Sequence, residues 1–194
     1  MSFITESQLK GYRNTTRFFS ATESLKQVRN ESKSYKTTIF LSHKHDELEF
    51  LDGAISFLKK EGIDVYVDWL DEGMPKNTSG VTATRIKQKI KENDKFILLA
   101  SEGAINSKWC NWELGFGDAK KYKEHIALFP MKPKGTYDSL YKGSEYLSIY
   151  PFIRYSDGTE KYSNGTPTLK GYYMVTPGEN GNTYLPLSQW FATR

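Results

Sequence analysis

The feature that most constrains this chain is a regular alternation, from Lys36 to Met131, of short apolar β-branched runs with stretches of helical periodicity. "TTIFLS" has strand length and composition. In the "ELEFLDGAISFLKKEG" that follows, Leu48, Leu51, Ile55 and Leu58 recur at helical spacing and Gly62 supplies a stop. "IDVYVDW" then reads as a strand, "LDEGMPKNTSG" as a long loop, "VTATRIKQKIKEN" as a helix with Ile86 and Ile90 inward, and "DKFILLAS" as a fully buried strand. Residues 107 to 123 form another helix-compatible stretch ahead of the strand "HIALFPM". Strands separated by helices return to a sheet by crossovers, so the expected fold is α/β, a parallel sheet covered on both faces.

The flanks are less regular. Residues 1 to 34 are polar and mostly helix-compatible, with Thr5 and Gln8 spaced for a capping box, and read as a short N-terminal helical arm. After Pro133 the rhythm loosens into Tyr- and Gly-rich sequence. "YPFIRY" reads as a strand, "PLSQWFA" as a terminal helix, and "SDGTEKYSNGTPTLKGYYMVTPGENGNTY" between them as loop. There are no internal repeats.

Charge and cysteine usage narrow the function classes. The 194 residues carry a net charge of +4, and residues 1 to 36 account for it with seven Lys/Arg against three Asp/Glu, leaving a balanced body. A nucleic-acid binder calls for a dense basic stripe with interleaved aromatics. "KQKIKENDK" is instead the solvated face of a helix, so nucleic acid is not an expected partner. The one cysteine, Cys110, rules out an intramolecular disulfide, and no apolar run approaches membrane-spanning length. Together with a start that lacks a secretory pattern, this leads to an expectation of a cytoplasmic chain without membrane contact.

In an open parallel α/β sheet, ligands gather outside the carboxyl ends of the strands. Three polar loops fall there: "SHKHDE", "DWLDEGMPKNTSG" and "SEGAINSKWCNWE". They bring Ser42, His43, Lys44, His45, Asp68, Trp69, Trp109 and Glu113 toward one cleft. His43 and His45 lack a third ligand at a recognisable spacing, so they read as loop histidines and no metal is expected. Cys110 with His125 raises the possibility of a thiol nucleophile, but Cys110 lies one helical turn from Leu114 and reads as a buried structural thiol. "GFG" at 115 to 117 follows a helix start instead of a strand, which suits close helix packing better than a phosphate cradle. Glu113 has two readings, an ordinary exposed helix acid or a cleft carboxylate. Trp109, four residues earlier on the same helix face, is placed to lie beside it and hold a flat base.

Three segments in order, "IFLSHKHDELEFL", "VYVDWLDEGMPKNTSGVTATRIKQKIKENDKFILLAS" and "SKWCNWELG", resemble the Toll/interleukin-1 receptor (TIR) domain, especially bacterial anti-phage defence forms of the Thoeris-like, NAD-processing kind. Ser-x-Trp-Cys-x-x-Glu-Leu is the most specific of the motifs, and the likeness spans roughly residues 36 to 155. It implies a flavodoxin-like sheet of five parallel strands flanked by helices, with 1–34 as an arm and 35–194 as the domain including an extended C-terminal region. It also implies that the loop from Leu70 to Gly80 mediates homo-oligomer assembly.

Enzymatic members of that family cleave NAD+ at the nicotinamide–ribose bond with a glutamate that maps onto Glu113. NAD+ is then a substrate, and no cofactor is expected. The resemblance further implies an ADP-ribose-derived product, cyclic or conjugated, that signals to a separate effector protein. Beside Glu113 as the catalytic residue, the substrate contacts expected are Trp109, Ser42, His43, Lys44, Asp68 and Trp69. Two other functions remain open on the residues alone: a non-enzymatic TIR scaffold and a nucleoside N-ribosyl transferase.

Overall fold

The computed structural model describes residues 1–13, 37–71, 73, 79–132, 145–162 and 164–193, with the side chains of Trp69 and Lys132 left out. The strands are β1 (Ile4–Thr5), β2 (Thr38–Ser42), β3 (Asp64–Tyr66), β4 (Lys95–Ala100), β5 (Ile126–Lys132), β6 (Phe152–Ser156), β7 (Gly171–Thr176) and β8 (Thr183–Pro186). The helices are α1 (Glu6–Gly11), α2 (Leu48–Lys60), α3 (Gly80–Glu92), α4 (Glu102–Ile105), α5 (Lys108–Lys120) and α6 (Leu187–Ala192). No helix among the described residues is long and apolar enough to cross a membrane.

All strands join one sheet in the order β3-β2-β4-β5-β6-β7-β8, with β1 paired to β5. From β3 to β6 every pairing is parallel, which is the expected five-stranded flavodoxin-like core. The sheet then continues through antiparallel β7 and β8. These two strands lie in the stretch expected to be loop. "GYYMVT" is only six residues long, and Gly, Asn and Pro on both sides masked its aromatic and β-branched content. The terminal helix falls where expected, at Leu187–Ala192.

The alternation of a strand decides which side chains can meet. Ile39 and Leu41 enter one core with Ile97, Leu99, Ala127 and Phe129, backed by α2. Phe40 enters the other core with Phe96, Leu98, Ile126 and Leu128, backed by α3 and α5. Ser42 has the parity of Phe40, so the end of β2 directs a hydroxyl to the α5 side. Cys110, Glu113, Leu114 and Gly117 are the buried positions of α5, spaced as one helical stripe. Gly117 lets that stripe lie close to the sheet, because a Cβ there would sit 3.3 Å from the Phe96 ring.

The expected capping box at Thr5 and Gln8 is formed. The helix it starts packs tightly: Leu9 is fully buried, and a Cβ at Gly53 of α2 would collide with the Leu9 carbonyl. β5 and β6 pair only at Leu128 with Phe152. Beyond that point β1 enters the gap, with Ile4 beside Met131 on one flank and Ser2 exchanging two 2.8 Å backbone hydrogen bonds with Tyr155 on the other. Residues 14–36, the rest of the expected arm, lie outside the described residues.

Candidate active site

The strand order reverses between β2 and β4, so their carboxyl ends, Ser42 and Ala100, border the crevice where open α/β sheets bind ligands. Helix α5 is aimed at this crevice by its own sequence. Ser107 caps it by accepting from the Cys110 amide, and one turn of helix further Glu113 faces inward. Ser42 Oγ donates to Glu113 Oε2 across 2.6 Å. Cys110 Sγ donates to the His43 carbonyl at 3.3 Å and so ties the loop after β2 to the same helix. The Ser-x-Trp-Cys-x-x-Glu pattern is thus a cap followed by two inward anchors at helical spacing.

Glu113 is only 5% exposed, which excludes the reading as an ordinary solvated acid. Burial, reinforced by the negative charge of Asp68, pushes its carboxyl up to about 8. The Ser42 hydroxyl works in the opposite direction, favouring the anion, without overcoming the loss of water. Burial thus favours the protonated carboxyl, and a cation arriving beside Glu113 favours its ionisation.

Asp68 follows β3 in the 3-10 turn Asp68–Leu70 and is buried between two imidazoles. His45 Nε2 lies 3.1 Å from Asp68 Oδ2, and His43 Nδ1 lies 3.8 Å from Asp68 Oδ1. The Asp68 hydrogen bond raises the affinity of His45 for a proton. His43 goes the other way, down to about 4, because burial outweighs the Asp68 charge. His43 is thus neutral, and its approach to Asp68 is not an ion pair.

The remaining expected residues fall as follows. Lys44 is partly exposed, with Nζ 3.5 Å from Asp46 Oδ1. The backbone of Trp69 lies in the 3-10 turn, and its side chain is outside the description. Trp109 is 38% exposed and edge-on to Trp112 at 5.2 Å, while Glu113 points in to Ser42. Trp112 in turn stacks on Phe116, and Lys87 lies over both rings.

Cys110 is a buried thiol pushed up to about 11 by that burial, consistent with a structural role. His125 is remote from it, 3.3 Å from Lys95 Nζ at the amino end of β4. Two features were not foreseen. Glu47, the N-cap position of α2, accepts a hydrogen bond from Ser101, the N-cap of α4, and so ties the starts of the two helices together. Asp68 also supplies the two histidines with a third group that no local spacing could reveal, because it comes from the next strand.

At the entrance, the stem of the loop from Leu70 to Gly80 is held by a two-pronged contact. Arg85 Nε and Nη2 donate to Asp71 Oδ2 and Oδ1 at 3.0 and 2.8 Å, and the Tyr66 hydroxyl adds a 2.7 Å bond. Most of the loop itself, residues 72 and 74–78, lies outside the described residues, as does the assembly role expected of it.

A flavodoxin-like sheet with a buried carboxylate at its switch point defines the class, an α/β domain with a candidate site at that crevice. Residues 39–165 match the TIR domain family, and the chain belongs to that family. It is also 29% identical over 164 residues, 79% of this chain and 83% of the relative, to the probable 3′ cyclic ADP-D-ribose synthase ThsB′ of Bacillus cereus (strain MSX-D12).

Proposed function

We propose that this chain cleaves NAD+ between nicotinamide and ribose and closes the ADP-ribose into a cyclic product that signals in defence against phage. The observation that carries this reading is the buried Glu113 carboxyl at the strand switch point, held by Ser42 Oγ at 2.6 Å. Family membership and the cyclic product in the relative's name support the choice of substrate and product.

Nicotinamide bound to ribose is a cation and leaves as a neutral base, so its departure requires no general acid. The C–N electron pair leaves with nicotinamide, and positive charge develops on the ribose ring, as in glycoside cleavage. A carboxylate fixed beneath that ring stabilises the charge, an effect strengthened by the dry surroundings of Glu113. Arrival of the pyridinium favours the ionised form of Glu113, whose proton is then lost to solvent.

Closure follows from the same group. A ribose hydroxyl of the adenosine half attacks the cationic carbon, the new C–O bond forms, and the hydroxyl proton passes to Glu113. A carboxyl at about 8 is well matched to accept a proton near neutral pH. Water attacking the same carbon gives linear ADP-ribose, so the bound conformation decides the product. Trp109 at the mouth supplies a face for adenine, and Lys44 a positive charge for the diphosphate. Self-association through the Leu70–Gly80 loop completes the cleft, and a separate effector protein reads the product.

The test is mass spectrometry with chromatography of NAD+ incubated with concentrated protein. A cyclic product isomeric with dehydrated ADP-ribose is expected, together with one nicotinamide per NAD+ consumed. Intact NAD+ at all protein concentrations would reduce the chain to a TIR scaffold.

A further inference from the structure

From the His43, His45 and Asp68 constellation we infer a binding site for a zinc-class divalent cation at the mouth of the Glu113 cleft, occupancy of which shuts the site. The three ligand atoms lie within 4.8 Å of one another. Two imidazole nitrogens and a carboxylate oxygen are a donor set suited to zinc and its borderline neighbours, not to magnesium or calcium.

The geometry is close to that of a bound ion. With bonds of about 2.0 to 2.1 Å, tetrahedral ligands stand about 3.3 to 3.4 Å apart. His45 Nε2 lies 3.1 Å from Asp68 Oδ2, close to that value, and His43 Nδ1 lies 3.8 Å from the other carboxylate oxygen, Oδ1. The remaining edge, between the two imidazoles, closes by movement of His45, whose side chain is 66% exposed. His43 and Asp68 are fixed by burial and form the preorganised half of the site.

The state of His43 is the second, independent observation. Its Nε2 is buried with no hydrogen-bond partner, and its Nδ1 has only a long 3.3 Å contact to the Leu41 carbonyl. A metal-ligating imidazole ordinarily gives its other nitrogen to a backbone carbonyl, a carboxylate or water. Here a buried ring holds Nδ1 to a backbone carbonyl and keeps Nε2 uncommitted, in a side chain beside a carboxylate that already holds a second histidine.

The consequence for activity rests on the NAD+ reading of the cleft. A divalent ion more than cancels the charge of Asp68 and leaves net positive charge beside Glu113, where the substrate brings its own cation. The ion and NAD+ therefore exclude each other, and by linkage each weakens the other equally.

The experiment uses the untagged full chain, so that His43, His45 and His125 are its only histidines. Cobalt(II) is the probe, read by its visible d–d absorption, with zinc added as competitor. The expected result is a band of one equivalent that zinc displaces, and at least a tenfold weaker affinity in His45→Ala. Cys110→Ser should keep the band, because the thiol is not among the ligands. Zinc should inhibit NAD+ turnover by the wild-type protein, and the turnover that His45→Ala keeps should be at least tenfold less sensitive to zinc. Absence of a band in the wild-type protein, or a band of equal affinity in His45→Ala, overturns the site. A zinc-displaceable band lost in His45→Ala, in a protein that leaves NAD+ intact, upholds the cation site and sinks only the substrate assignment.

Discussion

Ser42 and Glu113, 71 residues apart in sequence, meet through a 2.6 Å hydrogen bond that joins the end of the second strand to the middle of the fifth helix. The pair is buried, and it carries opposed demands. Folding favours a neutral Glu113, whereas stabilising a ribose cation requires the anion. Activity and stability should therefore respond in opposite directions to changes at this position.

Glu113→Gln keeps the size of the side chain and a partner for Ser42. Nicotinamide release should fall roughly 100-fold or more. The carboxyl sits at about 8 in the folded protein, above its ordinary value of 4.5. Wild-type stability from this group is thus fully present below 4.5 and lost as pH rises toward 8. Glutamine has no such loss, so the variant should melt higher than wild type at pH 8, by at least about 2 to 4 °C. The gap should close at pH 4 to 5. Equal melting temperatures at pH 8 would show that Glu113 is not held neutral.

The same titration governs the reaction. Wild-type kcat/KM should climb with pH, tenfold per unit, and level off above about 8, where the free enzyme ionises. Binding of NAD+ at pH 7 should release close to one proton, measured as the dependence of calorimetric heat on buffer ionisation enthalpy. A flat profile from pH 6 to 9 would contradict the assignment.

Ser42→Ala removes the one donor that favours the Glu113 anion. A hydrogen bond to a charged group is worth about 1.5 to 3 kcal/mol, so the ascending limb should move about one to two pH units higher. Activity at pH 7 should drop at least tenfold and partly recover at pH 9. Loss that pH cannot restore would mean that Ser42 contacts the substrate directly.

Trp109→Ala tests product choice. The ring is 38% exposed, so its removal should change the melting temperature little. Stacking on an aromatic is worth about 1 to 3 kcal/mol per base. The variant should release nicotinamide while shifting from cyclic to linear ADP-ribose, read by chromatography. A stable variant with unchanged products would remove adenine from Trp109.

If the Leu70–Gly80 loop completes the cleft of a neighbouring molecule, specific activity should rise with protein concentration. Arg85→Ala frees the stem at Asp71 and should move that rise to higher concentration without altering the far-ultraviolet spectrum. Concentration-independent activity of a monomer, seen by light scattering, would exclude a shared site.

The parallel core was legible because each of its strands has an apolar signature bounded by helices, and five such segments leave few topologies. Glu113 was legible through its motif, although its burial was not, since a lone helix acid is solvated by default. The partner roles were hidden for a different reason. Ser42 reads as a substrate contact until strand parity turns it to Glu113, and Asp68 meets His45 only because adjacent parallel strands end side by side. Trp109 shares a helix face with Glu113 in principle, yet a broad neighbour, Trp112, offers it an edge on the outer side. Strands β7 and β8 escaped notice because antiparallel extension draws on pairing partners more than on local pattern.

The wedge formed by the first residues has a consequence for how the protein is born. Ile4 leaves the ribosome early, but the strand it must lie against ends at Lys132 and its other flank is Tyr155. The segment around Ile4 therefore waits unpaired until Lys132 and Tyr155 have emerged, and Leu9 can lock over Gly53 well before Ile4 finds its berth. Such long-separation contacts slow the last step of folding. The nascent chain thus keeps the upper end of its sheet unsealed until Tyr155 has been made, and the Glu113 crevice beside that end matures only after it.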